Sequence, residues 1–377
     1  MNKYIFILIS ILILKAEAQS SALQLGDSLY INGNYTKAIE AYKQFENQRN
    51  VYDKIAKAFV AIGNYDEALS NYKSSIETNP NNALIKYEFA KLLSKTKKHE
   101  AASTMFYKLI DIDYKNPNYH YELGLVLEQL KDSTAQNRFR SAFDLDSTHQ
   151  KAIFRIARFH VKKRHFKTAN KYINIGLSTY AENKQLISLK AQNHYWKEDY
   201  EDAVIWFEKL LALNESTQFI HEKLSFSYVR IYEYKKALEQ GELALKLDPK
   251  NATNLYIQGL IYERMQDYEN AEKYILESLA IQDIPLDTEY SKLANIYNQQ
   301  KKYKEGIEAF QQSIKENPDS QHTQFFLVYT KDRYYKDIDT RIMLYKNFLE
   351  KNPKSMFKSI AEKRITELKE EQFLKHD

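Results

Sequence analysis

The sequence predicts an all-α fold, a stacked array of helical hairpins, and three observations carry that prediction. The chain of 377 residues holds only 8 glycines and 6 prolines, where average usage would give roughly 45 together. Strand-rich sandwiches and barrels need these residues in turn after turn, so that class is excluded. Hydrophobic residues make up 44% and aromatics 14% of the chain, with 30 tyrosines and a net charge of only +5, which excludes disorder. Finally, small residues recur about every 34 positions through nine units. So regular a period points to one repeat array and away from separate globular domains.

The N-terminal segment comes first. Residues 1–18 read as a secretory signal, with Lys3 as the basic flank and Tyr4–Leu14 as an eleven-residue apolar stretch. Ala16-Glu17-Ala18 supplies the small-x-small cleavage pattern before Gln19. Eleven residues fall short of the roughly 20 that span a hydrocarbon core. The expectation is therefore an exported chain, periplasmic, surface-bound or secreted, with an uncleaved anchor as the alternative. With 0 cysteines it has neither a disulfide framework nor a lipid-modified Cys after the cleavage site.

Residues 19–354 carry the repeats. One ladder of small residues runs Ala38, Ala68, Ala102, Ala135, Ala169, Ala203, Ala237, Ala271 and Gly306. A second precedes it by twelve residues, or eleven in the fourth unit: Gly26, Ala56, Ala90, Gly124, Ala157, Ala191, Ser225, Gly259 and Ala294. Three positions before the later residue stands Tyr35, Tyr65, His99, Phe166, Tyr200, Tyr234, Tyr268 or Tyr303, and only the fourth unit lacks such a ring. Asn-Pro or Asp-Pro pairs close units at Pro80, Pro117, Pro249, Pro318 and Pro353, and Pro285 closes the eighth.

Each unit thus reads as two amphipathic helices, seen in the three-and-four apolar spacing of Tyr52–Phe59 and Ala68–Ile76. A small residue on each helix lets the backbones approach where they cross. The ring after the turn fills the wedge, and proline stops the second helix. A single hairpin buries too little apolar surface to fold alone, so neighbours must share a continuous core. Residues 319–354 form an irregular tenth unit, because Asp332–Thr340 lacks the small residue. Residues 355–377 then read as a capping helix, with Phe357, Ile360, Ala361, Ile365 and Leu368 on one face.

This pattern resembles the tetratricopeptide repeat family over residues 20–354. Asn34–Tyr42, read as Asn-Tyr-x-x-Ala-Ile-x-x-Tyr, is close to that family's consensus. The resemblance implies a right-handed superhelical solenoid whose first helices line a concave groove. It implies inward-pointing aromatics at Tyr87, Tyr121, Phe154, Tyr195, Trp196, Phe219, Phe226 and Tyr256. Some family members clamp chaperone C-termini with a K-x-x-x-N, Asn, K-x-x-x-R pattern. Here only Lys151 and Arg155 match, and Tyr87, Lys91 and Glu122 stand at the earlier positions.

No enzyme chemistry is legible. The glycines all fall on repeat positions, which leaves no phosphate-cradling loop and no nucleophile elbow. His160 and His165 are five apart, a spacing that points them to different faces of one helix. His160 and His194 share a repeat position, but further metal ligands are not apparent. No catalytic residue, cofactor or metal is therefore expected.

The sharpest local feature is charge. From Ser147 to Ala181 there are eight Lys and Arg and no acid, so the rest of the chain sums to −3. Lys151, Arg155, Arg158 and Lys162 follow i, i+4, i+7, i+11 spacing, one stripe along a first helix. One unit back the stripe meets Asn118, Glu122, Leu125 and Gln129, a single acid, so it reads as largely uncompensated. With Tyr121, Phe154, Tyr195 and Trp196 these bases form the candidate ligand site. The expected function is a non-enzymatic scaffold in the cell envelope that binds a protein partner through an extended or acidic segment. A glycan-binding solenoid is the alternative, and an RNA-binding helical repeat is the weaker third.

Overall fold

The computed structural model describes residues 22–281 and 286–374, and all regular structure among them is helical. The expected signal segment 1–18 and Pro285 lie outside the described residues. The chain divides at Leu189 and Lys190 into two compact units.

The first unit contains α1 (22–31), α2 (Tyr35–Lys43), α3 (Tyr52–Ala61), α4 (Tyr65–Thr78) and α5 (Ala83–Lys95). It continues with α6 (His99–Ile112), α7 (Pro117–Gln129), α8 (Ala135–Leu145), α9 (Gln150–Lys162) and α10 (Phe166–Thr179). The division falls within α11 (Lys184–Lys197). The second unit holds α12 (Tyr200–Ala212), α13 (Gln218–Arg230), α14 (Tyr234–Leu247), α15 (Ala252–Arg264) and α16 (Tyr268–Ile281). After these come α17 (Asp287–Gln299), α18 (Tyr303–Glu316), α19 (Gln321–Tyr334), α20 (Ile338–Lys351) and α21 (Lys358–Leu374). From α2 to α10, and from α12 to α21, each helix packs on its neighbours in sequence. That is the contact pattern of a helical-repeat solenoid, in which each unit touches only the next.

Helix starts follow from local chemistry. Asn82, Asn116 and Asn251 cap α5, α7 and α15, accepting from the backbone N–H of Ile85, Asn118 and Asn254 at 3.1, 3.0 and 3.0 Å. Pro117 takes the first position of α7, where a missing N–H costs nothing.

The helices of nine hairpins are joined through a residue in the left-handed region: Gly33, Gly63, Lys97, Lys131, Arg164, Glu198, Tyr232, Gln266 and Lys301. Only two of the nine are glycine, so seven turns carry a side chain there against its preference. Every residue of the two small ladders is buried. At Gly124 on α7, a Cβ would lie 2.6 Å from Cε1 of the fully buried Phe139 on α8. The wedge rings Tyr35, Tyr65, His99, Phe166, Tyr200, Tyr234, Tyr268 and Tyr303 open their helices half-buried.

The tenth hairpin has helices as long as the others but a different residue at the ladder position of its second helix. Arg341 is the fourth residue of α20, the place that Ala237, Ala271 and Gly306 hold in α14, α16 and α18. Its Nε donates to Oδ1 of buried Asp332 at 2.5 Å. Nε of Arg364, from α21, donates to Oδ2 at 2.9 Å, and the Tyr345 hydroxyl donates to the same oxygen at 3.1 Å. Burial pushes the Asp332 carboxyl up, but the Arg341 and Arg364 hydrogen bonds outweigh it and hold it below the ordinary range. A buried ion cluster thus stands where the other hairpins have a small residue, and it ties α21 to α19.

In α21, Ala361 and Leu368 are buried, and Ile365 packs beside them together with Phe357, which precedes the helix. Ile360 corrects the expected face, because it is 54% exposed. At about 100° per residue it points a quarter-turn away from Ala361.

Candidate functional site

In the first unit, α9 buries Ala152, Ile153, Ile156, Ala157, His160 and Val161. At about 100° per residue the basic positions cluster within roughly 60° on the opposite side. Lys151, Arg158 and Lys162 are exposed there, and no ion pair engages them among the described residues.

Arg155 is different and corrects the uncompensated stripe. Its Nη1 lies 3.0 Å from Oε2 of Glu128, with both side chains mostly covered. The arginine reaches nearly two turns along α7 beyond its register partner Glu122. A second acid therefore faces the stripe, which presents three cations where four were expected. Glu122 itself is held up by burial, while Lys91 and Lys151 pull its carboxyl down. The Tyr87 hydroxyl donates to its Oε1 at 3.4 Å.

The aromatic candidates separate into three kinds, buried, half-buried and open. Tyr121 is buried, its ring 5.8 Å from Phe139 and 5.2 Å from His149. Phe154 is half-buried and packs against the Ile153–Ile173 core. Tyr195, in the second unit, is buried among Trp196, Tyr200, Phe207 and Phe226. Burial first, then Tyr200 and Glu222, pushes its hydroxyl up to about 12. Tyr121 and Tyr195 thus lie in the core, their rings packed on neighbouring aromatic side chains. Tyr87, Phe226 and Tyr256 are half-buried too. Trp196 and Phe219 stay open, at 40% and 39% exposure, and Lys223 Nζ lies 5.6 and 5.7 Å from their rings.

The histidine reading also changes. His160 and His165 do not diverge, and their Nδ1 atoms lie 3.4 Å apart. Helix α9 ends at Lys162 and the chain turns through left-handed Arg164, so helical spacing no longer applies across the pair. The same turn geometry, one unit on, places His194 Nδ1 3.5 Å from Asp199 Oδ2 and 3.3 Å from Asp202 Oδ2. Sequence reasoning missed these acids. The signal was there: five and eight residues after a helix-ending histidine, across a turn rather than along a helix.

No helix among the described residues is long and apolar enough to cross a membrane.

Two tetratricopeptide repeat models match the chain, one over residues 59–123 and one over residues 252–283 and 290–320. Among curated proteins, the chain is 23% identical over 263 residues to DnaJ homolog subfamily C member 3 of Gallus gallus, covering 70% of this chain and 48% of that protein. It is also 23% identical over 249 residues to human protein O-mannosyl-transferase TMTC3, covering 60% of this chain and 26% of the relative. The chain therefore spans about half the length, or less, of the curated relatives it matches. Among solved structures, a tetratricopeptide repeat protein from Parabacteroides merdae is similar at 14% identity and a TM-score of 0.47, over 62% of this chain and 93% of that one.

Proposed function

Because the chain is a tetratricopeptide repeat protein, of a family that typically mediates protein–protein interactions without catalysis, we propose that it is an envelope scaffold that holds an acidic segment of a partner protein against α9. The observation that carries this reading is the face of α9. Lys151, Arg158 and Lys162 stand exposed on one stripe, inside a stretch with no acid of its own. Glu122 acts on Lys151 alone of the three, so most of the stripe's field is left for an incoming anion, and complementary charge speeds encounter and selects the partner. The envelope location rests on the N-terminal segment read from the sequence.

The experiment uses a fluorescent peptide of alternating Glu and Ala as the probe. Binding should weaken steeply with salt and should be lost in Arg158→Glu/Lys162→Glu, with far-UV circular dichroism unchanged. Equal affinity in that variant and in wild type would sink the α9 assignment. In-cell crosslinking of the tagged full chain tests the location. Recovery of envelope proteins supports it, and a cytosolic set overturns it.

A further inference from the structure

We propose that His194, Asp199 and Asp202 form a divalent transition-metal site in the second unit, with zinc the best-matched ion. Three features support it. The first is spacing. One ligand atom from each residue lies within 4.8 Å of the others, and the two nitrogen–oxygen separations are 3.3 and 3.5 Å. Tetrahedral zinc, with bonds of about 2.0–2.2 Å to imidazole nitrogen and carboxylate oxygen, has ligand–ligand edges of about 3.3–3.6 Å. The two nitrogen–oxygen separations therefore match those that a shared ion would set.

The second feature is the imidazole itself. His194 Nδ1 is shut off from solvent, and its neighbours are the two carboxylate oxygens, at 3.3 and 3.5 Å. In its neutral form the imidazole offers a lone pair, and an ion among the three atoms would take that lone pair and both carboxylates as ligands. The preceding hairpin carries His160 at the corresponding position, without the two acids. The following hairpins carry Tyr228, Tyr262 and Tyr297 at the corresponding position.

The third feature is access. Asp199 and Asp202 line an open pocket of about 340 Å³ together with Glu198 and Glu201. Arg230 lines the same pocket, its guanidinium 5.0 Å over the Tyr200 ring. The pocket gives a cation a route to the two aspartates, with His194 behind them, and leaves room for water or a partner's side chain in the fourth position. A nitrogen ligand among the oxygens favours zinc and its transition-metal neighbours over magnesium or calcium. Lys197 marks the competing state, with its ammonium 2.5 Å from Asp199 Oδ2. An arriving metal would have to displace it.

The test titrates the full chain with Zn²⁺ in calorimetry and with Co²⁺ in visible absorption. The expected result is one saturable site with four-coordinate cobalt bands. Asp202→Asn and His194→Gln should each weaken it by at least roughly tenfold. Lys197→Gln should tighten it, because it removes the competing ammonium. Asp202 is more than half exposed, so its variant keeps the fold and carries the test if His194→Gln does not. No saturable binding at about 0.1 mM metal, or equal affinity in wild type and Asp202→Asn, would overturn the site. Neither result touches the α9 reading, which is measured with peptide and no metal.

Discussion

Gly124→Ala offers the sharpest test of the small-residue crossing, because two opposed effects compete there. Alanine in place of glycine inside a helix gains about 0.8–1.0 kcal/mol from propensity alone. Against this, the new Cβ would meet Phe139 at 2.6 Å on Cε1 and 2.8 Å on Cδ1. Phe139 is fully buried with Tyr121 packed on it, so its ring cannot simply swing away. Relieving that overlap needs a shift near 1 Å, and overpacking of this kind costs about 1–3 kcal/mol. The net expectation is destabilisation by about 1 kcal/mol. Gly306→Ala is the control, since its Cβ would meet Asn298 Oδ1 at 3.2 Å and the Ala294 carbonyl oxygen at 3.4 Å. There the propensity gain should prevail and stabilise by about 0.5 kcal/mol. Urea unfolding followed by far-UV circular dichroism, each variant against wild type, reads both signs. If Gly124→Ala stabilises as much as Gly306→Ala, close backbone approach is not why the ladder residues are small.

Other consequences follow from the same geometry. Tyr232 sits at φ 65° and is 78% exposed. Tyr232→Gly should therefore stabilise its hairpin by about 1 kcal/mol, visible as a higher urea midpoint. Arg341→Ala removes one of the two guanidinium partners of a carboxylate that is 4% exposed. It should destabilise the C-terminal hairpin by on the order of 3 kcal/mol, read by hydrogen exchange in α19–α21. The Asp332 carboxyl is lowered in the folded chain, so its contribution is complete above the ordinary carboxylate range and lost as pH falls through the folded value. Wild type should accordingly lose more stability than Asp332→Asn between about pH 5 and the acid limit, measured by thermal unfolding at stepped pH. On α9, Arg155→Gln should weaken acidic-peptide binding less than Arg158→Gln, because Glu128 already neutralises Arg155.

The repeat phase was legible in the linear chain because each helix records its own buried stripe every three to four residues. The two small ladders, the wedge rings and the asparagine caps all act within a few residues of where they stand. The candidate site was legible only in part. Lys151, Arg158 and Lys162 lie on the surface that their spacing implies, because that spacing is measured along one uninterrupted helix.

The first ladder and the small number of breakers determined by themselves that the chain is a stack of helical hairpins. Only the tertiary structure decided that Arg155 closes on Glu128, that Tyr121 and Tyr195 are core, and that Arg341 replaces a small residue by pairing with Asp332. It also brought His194 to Asp199 and Asp202 across a turn. The reason is one of reach. Backbone periodicity is set within a helix and can be counted from the residues, whereas long side chains meet across neighbouring helices at offsets that no single helix encodes.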